Sequence, residues 1–71
     1  MNDDEYLVKL GERIVSLRKE RNLRQIDLSD KVGIEDSALR RIESGRVNSS
    51  INMLRKIAYA FNLEITELLS F

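Results

Sequence analysis

Within each of four segments the apolar residues recur at steps of three and four, and nowhere along the chain do they alternate with polar ones. That is the period of a helix, not of a half-buried strand. Leu7, Leu10, Ile14 and Leu17 mark one face of a helix running from Asp3 to Arg21. Asp3, Asp4 and Glu5 suit the positive end of its macrodipole, and Asn22 is placed to stop it in the left-handed conformation. A second helix spans Gln25 to Val32 with Leu28 and Val32 inward, and Gly33 then supplies the backbone freedom for a tight turn. Residues 36–44 make a third helix with Leu39 and Ile42 inward, ended by Gly45, and the polar stretch 46–50 (RVNSS) follows as a loop. Ser50 is a good N-cap for a fourth helix, whose buried face is expected to hold Ile51, Leu54, Ile57, Ala58 and Phe61 before Asn62 closes it. A last turn from Thr66 to Ser70 carries Leu68 and Leu69. With no proline, repeat or low-complexity tract to divide it, residues 1–71 read as one domain, an all-α compact bundle of about five short helices.

A bundle of 71 residues has a marginal core and ordinarily needs a staple. The chain has no cysteine and no histidine, so disulfides, thiolate zinc sites and imidazole ligands are all excluded. Oligomerisation is the staple that is left, and neither a metal nor another cofactor is expected. The commonest general base and the best nucleophile are missing for the same reason. No paired carboxylates suggest acid–base work, so an enzyme is not expected. No apolar run reaches the length of a membrane span, and the acidic start MNDDEY is the opposite of a signal peptide. A cytoplasmic protein without a membrane partner is the expectation.

Formal net charge is zero, but it is not spread evenly. Residues 1–12 carry −3, residues 64–71 carry −2, and the stretch 13–63 carries +5. Charge segregation of this kind can give a neutral molecule one basic face, although an ordinary mixed surface has the same total.

Two short helices joined by a turn containing glycine are the ingredients of a DNA-binding helix-turn-helix, here running from about 25 to 44. The residues Gln25-Ile-Asp-Leu28-Ser29-Asp-Lys-Val32-Gly33-Ile34, followed by Leu39-Arg-Arg-Ile42-Glu43-Ser-Gly45, resemble the Cro/phage-repressor (Xre) helix-turn-helix family. The resemblance runs from Gly11 to Leu69 and takes in Leu54-x-x-Ile57-Ala58-x-Ala60-Phe61-Asn62-Leu63 and Glu67-Leu68-Leu69. It implies a lambda-repressor-like DNA-binding domain. Ser29 departs from the usual alanine between the two helices, and Ser49 stands where proline is frequent. Arg24 and Glu35 replace the usual capping Ser or Thr. Arg24 cannot accept a hydrogen bond, so the second helix is expected to be poorly capped, while Glu35 is a longer acceptor.

A recognition helix enters the major groove with its N-terminal residues nearest the bases. Ser37 and Arg41, four apart, share the face that excludes Leu39 and Ile42, and both are candidates for base contact. Arg41 can bond guanine O6 and N7 together. Asp36 can accept from cytosine, but an acid in the first turn is also what the helix dipole favours. Arg40 suits phosphate. The resemblance implies that the Gln25 amide donates to phosphate, and that Arg46, Asn48 and Ser49 hold phosphates from the loop; the alternative is an ordinary solvated loop. It also implies that Arg18 and Glu43 form a structural ion pair that orients the recognition helix.

The expected function is a sequence-specific transcriptional regulator, a repressor or autoregulator, acting as a homodimer on a palindromic operator. The surplus apolar residues Ile65, Leu68, Leu69 and Phe71 offer a dimer interface, although Leu68 and Ile65 also suit the core. With no second domain in these residues, no small-molecule effector is expected. Restriction–modification controller proteins, antitoxins and small phage repressors share this size. The alternative is a protein-interaction module, antitoxin-like, that keeps the fold and binds little DNA; zero net charge and Asp36 favour it, while Arg40, Arg41, Arg46 and Gln25 oppose it.

Overall fold

A computed structural model describes residues 2–71 and contains five helices: α1 (Asp3–Glu20), α2 (Gln25–Val32), α3 (Asp36–Glu43), α4 (Ile51–Ala60) and α5 (Ile65–Leu68). No strand occurs among the described residues. The side chain of Asn2 caps α1 by accepting the Glu5 N–H at 2.9 Å, and three acids occupy the first turn. The two asparagines end α1 and α4 in the same way. Each sits at positive φ, 55° for Asn22 and 60° for Asn62. The residue after each bonds back to the carbonyl five residues earlier, Leu23 to Arg18 and Leu63 to Ala58, so the last helical carbonyls are satisfied.

Leu10, Ile14 and Leu17 from α1, Leu28 from α2, Leu39 and Ile42 from α3, and Leu54, Ile57, Ala58 and Phe61 around α4 form one buried core. Leu68 of α5 is fully buried within it, so it has no surface to offer a second copy and leaves the expected dimer set. Ile51 is a second correction. It is 61% exposed, because the first residue of α4 projects beyond the end of the core rather than over it.

Gly11 explains how α1 and α3 come so close. A Cβ built there would lie 2.2 Å from the carbonyl oxygen of Glu43, so the two backbones touch at this point and only glycine fits. Gly45 is under a related constraint: φ is +76°, and a Cβ would meet the backbone of Val8 at 2.8 Å. Arg13 of α1 and Arg21, the residue just past its end, hold the C-terminal half. Arg13 donates to the carbonyls of Glu67 at 2.8 Å and Leu68 at 3.3 Å, and the Arg21 guanidinium lies 5.1 Å over the ring of Phe61. At the chain end, Phe71 packs edge-on against Tyr6 with ring centroids 6.4 Å apart.

Candidate nucleic-acid interface

Gln25, Ser37, Arg40, Arg41, Glu43, Ser44 and Arg46 line one open hollow across the start of α2, the outer face of α3 and the residues after it. α3 buries Leu39 and Ile42 against the core, so its helical period turns Ser37, Arg40 and Arg41 outward, and all three are exposed. Arg46 is exposed beyond the end of α3. Neither Arg40, Arg41 nor Arg46 forms an ion pair among the described residues, so three guanidinium charges face solvent together.

Beneath this face lies a network that ties three helices together. Arg18 of α1 donates to Glu43 of α3 through Nε to Oε2 at 2.9 Å and through Nη2 to Oε1 at 3.3 Å. Its Nη1 also donates to the Leu23 carbonyl at 3.0 Å. Gln25, the first residue of α2, donates from Nε2 to Glu43 Oε1 at 2.7 Å. The side chains of Arg18 and Glu43 are only 11% and 5% exposed. The Glu43 charge is therefore spent inside the protein and subtracts little from the arginines above it. Gln25 has a second amide hydrogen, which the bond to Glu43 leaves free.

Asp36 is engaged elsewhere. Its Oδ1 accepts the hydroxyl of Ser29, a residue 1% exposed between α2 and α3. That contact turns Oδ1 toward the joint between the helices, while the half-buried residue still shares a surface hollow with Ser37 and Arg40. Nothing in the helical spacing pointed to this pair; the one signal was a serine where the resemblance has alanine. Ser49 is a second departure. Its Oγ is buried with no hydrogen-bond partner among the described residues, so the hydroxyl is not presented to a phosphate. Ser49→Ala removes an unsatisfied buried hydroxyl and should raise stability by about 1 kcal/mol. A shift of the urea midpoint upward is the expected result; a loss of stability would show that the hydroxyl has a partner. Asn48 is exposed beside it.

The start of α2 carries its own electrostatics. Arg24, the N-cap, makes no side-chain cap bond, as its chemistry requires, and Glu35 makes none for α3. Asp27 accepts the Arg24 N–H at 2.7 Å, while the guanidinium of Arg24 folds over the same carboxylate at 3.0 Å. The side-chain hydrogen bond from Arg24, with the backbone bond second, holds the Asp27 carboxyl below its ordinary value. The sign is that of a depressed acid: the contribution is present above the ordinary carboxylate range and is lost as pH falls through the lowered value. Without a side-chain acceptor from Arg24, the leading N–H groups of α2 stay uncapped next to Gln25.

The family HTH_3, described as helix-turn-helix, matches residues 14–68, most of the chain. The chain belongs to the HTH_3 family. Its sequence is 37% identical over 57 residues to the immunity repressor protein of Bacillus phage phi105, a match covering 80% of this chain and 40% of that protein. It is 36% identical over 62 residues to the HTH-type transcriptional regulator DdrOP3 of Deinococcus deserti, covering 87% of this chain and 48% of the regulator. The chain thus spans less than half the length of these two relatives. Among solved structures it is similar to the restriction–modification controller protein C.AhdI from Aeromonas hydrophila, with a TM-score of 0.84 and 35% identity over 87% of this chain and 94% of that one. What this chain shares with the phage immunity repressor and the Deinococcus transcriptional regulator is the helix-turn-helix domain. No helix among the described residues is long and apolar enough to cross a membrane.

Proposed function

We propose that the protein is a sequence-specific DNA-binding regulator that lays α3 in a major groove, acts as a homodimer on a palindromic operator, and represses transcription, that of its own gene included. The observation that carries this is the hollow in which Arg40, Arg41 and Arg46 stand unpaired around Ser37 while Glu43 is neutralised from behind by Arg18. A molecule of zero net charge thereby acquires a locally basic face. Arg41 and Ser37 read base edges, with Arg41 bidentate to guanine. Arg40, Arg46, Asn48, the free amide hydrogen of Gln25 and the uncapped amides of α2 hold phosphates and set the register. One recognition helix reads only a few base pairs, so a second copy across a two-fold axis doubles the readout. Ile65, Leu69 and Phe71 are the C-terminal residues that retain surface for it, Leu69 being 38% and Phe71 50% exposed.

The test is a fluorescence-anisotropy titration of wild type and Arg41→Ala on the DNA upstream of the gene and on a random duplex. Wild type should prefer the upstream DNA, and its affinity should fall steeply between 50 and 200 mM salt, by roughly 10³-fold if about six phosphates are neutralised. Arg41→Ala should cost about 1–3 kcal/mol on the upstream DNA and far less on the random duplex. Absence of binding to either duplex at 50 mM salt would contradict the proposal and leave a protein partner as the reason for the fold.

A further inference from the structure

The bond between Ser29 and Asp36 aims a carboxylate as well as joining two helices. Ser29 is 1% exposed, and its Oγ lies within reach of two acceptors, the Ile26 carbonyl at 3.1 Å and Asp36 Oδ1. A hydroxyl has one proton, and the charged acceptor takes it. The carboxylate is thereby fixed through one oxygen. The other, Oδ2, accepts no bond from the described residues and is not buried. Asp36 is the first residue of α3 and lies half-buried in an open hollow with Ser37 and Arg40. Arg40 stands four residues on, the spacing at which an acid and an arginine ordinarily pair, yet no such pair forms among the described residues. Ser29 holds the carboxylate away from Arg40, so neither charge cancels the other.

We propose that Asp36 reads a base pair of its own, selecting cytosine through Oδ2, and that Ser29 is the positioning residue that aims it. The inference rests on the reading of α3 as a recognition helix and names a further determinant of its specificity. The N-terminal residues of such a helix lie nearest the bases. An ionised carboxylate only accepts, so its partner in the major groove is an exocyclic amino group. Guanine presents the acceptors N7 and O6 there, and thymine presents O4, so both are refused. Adenine offers the N6 amino group but sets the N7 acceptor beside it, where a carboxylate meets repulsion. Cytosine N4 donates with no acceptor next to it, and is the base that fits. Asp36 and Arg41 are five residues apart, about 7.5 Å along the helix axis, so they reach different base pairs. The helix dipole accounts for an acid in the first turn of α3, but it does not call for a buried hydroxyl to hold that acid in one orientation.

Duplexes selected by the full chain from a random-sequence pool, followed by anisotropy titrations on the four duplexes that differ at one position, test this. The wild-type site should carry a cytosine at a base pair other than the guanine that depends on Arg41, and any other base there should weaken binding about tenfold. Asp36→Asn should move the preference at that position from cytosine to adenine, because an asparagine amide bonds adenine N6 and N7 together. The guanine read by Arg41 should be unaffected. Ser29→Ala, with its fold checked by circular dichroism, should reduce the preference for cytosine to about threefold or less while leaving affinity for a random duplex near that of wild type. A purely structural role for the pair would change stability, or affinity for all sequences alike, and would leave that one position untouched. Asp36→Asn binding every duplex more tightly by the same factor, with the motif unchanged, would overturn the inference and leave α3 standing as the recognition helix. Full cytosine preference in Ser29→Ala would overturn the positioning role. A wild type that binds no duplex at about 50 mM salt would overturn the DNA-binding reading itself.

Discussion

Replacing Gly11 with alanine is expected to destabilise the protein by about 2–4 kcal/mol, although the substitution is favourable for an isolated helix. Alanine in the middle of α1 gains about 1 kcal/mol of helix propensity over glycine. Against this, the new Cβ would stand 2.2 Å from the carbonyl oxygen of Glu43 and 2.9 Å from that of Ile42. Both are backbone atoms of α3 and cannot rotate away. Relief requires α1 and α3 to move apart along the contact that also seats Ile14, Leu39 and Ile42 in the core. A domain of this size is stable by only about 4–10 kcal/mol, so the loss is a large fraction of the total. A urea titration followed by circular dichroism measures it. The expected result is a much lower midpoint with DNA affinity reduced in parallel, because the displaced element is the recognition helix. An unchanged or raised midpoint would contradict the close approach of α1 and α3.

Glu43→Ala is the second large effect, expected to cost about 3–5 kcal/mol. Arg18 would keep its charge at a site where its side chain is 11% exposed, with only the Leu23 carbonyl left as an acceptor. Gln25 would lose its 2.7 Å bond at the same time and with it the link between α2 and α3. The loss belongs mainly to the uncompensated partner, not to the worth of the intact pair. Replacing both, as in Arg18→Met with Glu43→Leu, should therefore recover much of the stability. It should not recover DNA binding, since Gln25 would still lack the carboxylate that fixes its orientation. Thermal denaturation of the three variants separates the two effects. A double variant as unstable as Glu43→Ala would show that the network stabilises in its own right.

The helices were legible because their signals are local. Gly33 after Val32 and Gly45 after Ser44 mark the ends of α2 and α3, and Asn22 and Asn62 sit at positive φ just past the ends of α1 and α4. Ile51 was misplaced because periodicity assigns a residue to a helical face but does not say how far along the helix the core extends. Leu68 was ambiguous for a related reason: an apolar residue near a chain end suits a core and an interface equally, and only the packing of α5 on α4 decides. In the site, Ser37, Arg40 and Arg41 followed from the inward position of Leu39 and Ile42. The pairing of Ser29 with Asp36 did not, because it depends on the angle between two helices, which no spacing along the chain encodes. Gly11 did leave a trace, a glycine inside a helix that would be more stable with alanine, and its reason became visible only with Glu43 against it.

The central claim, that the exposed face of α3 reads DNA as half of a symmetric pair, is tested most directly by selecting bound duplexes from a pool of random sequence. The account predicts enrichment of a two-fold symmetric site with a guanine in each half, the half-sites centred about one helical turn (10–10.5 base pairs) or a multiple of it apart. It further predicts that Arg41→Ala relaxes the preference at that guanine while leaving the rest of the motif recognisable. A pool that emerges unenriched, or a motif unchanged by Arg41→Ala, would contradict it.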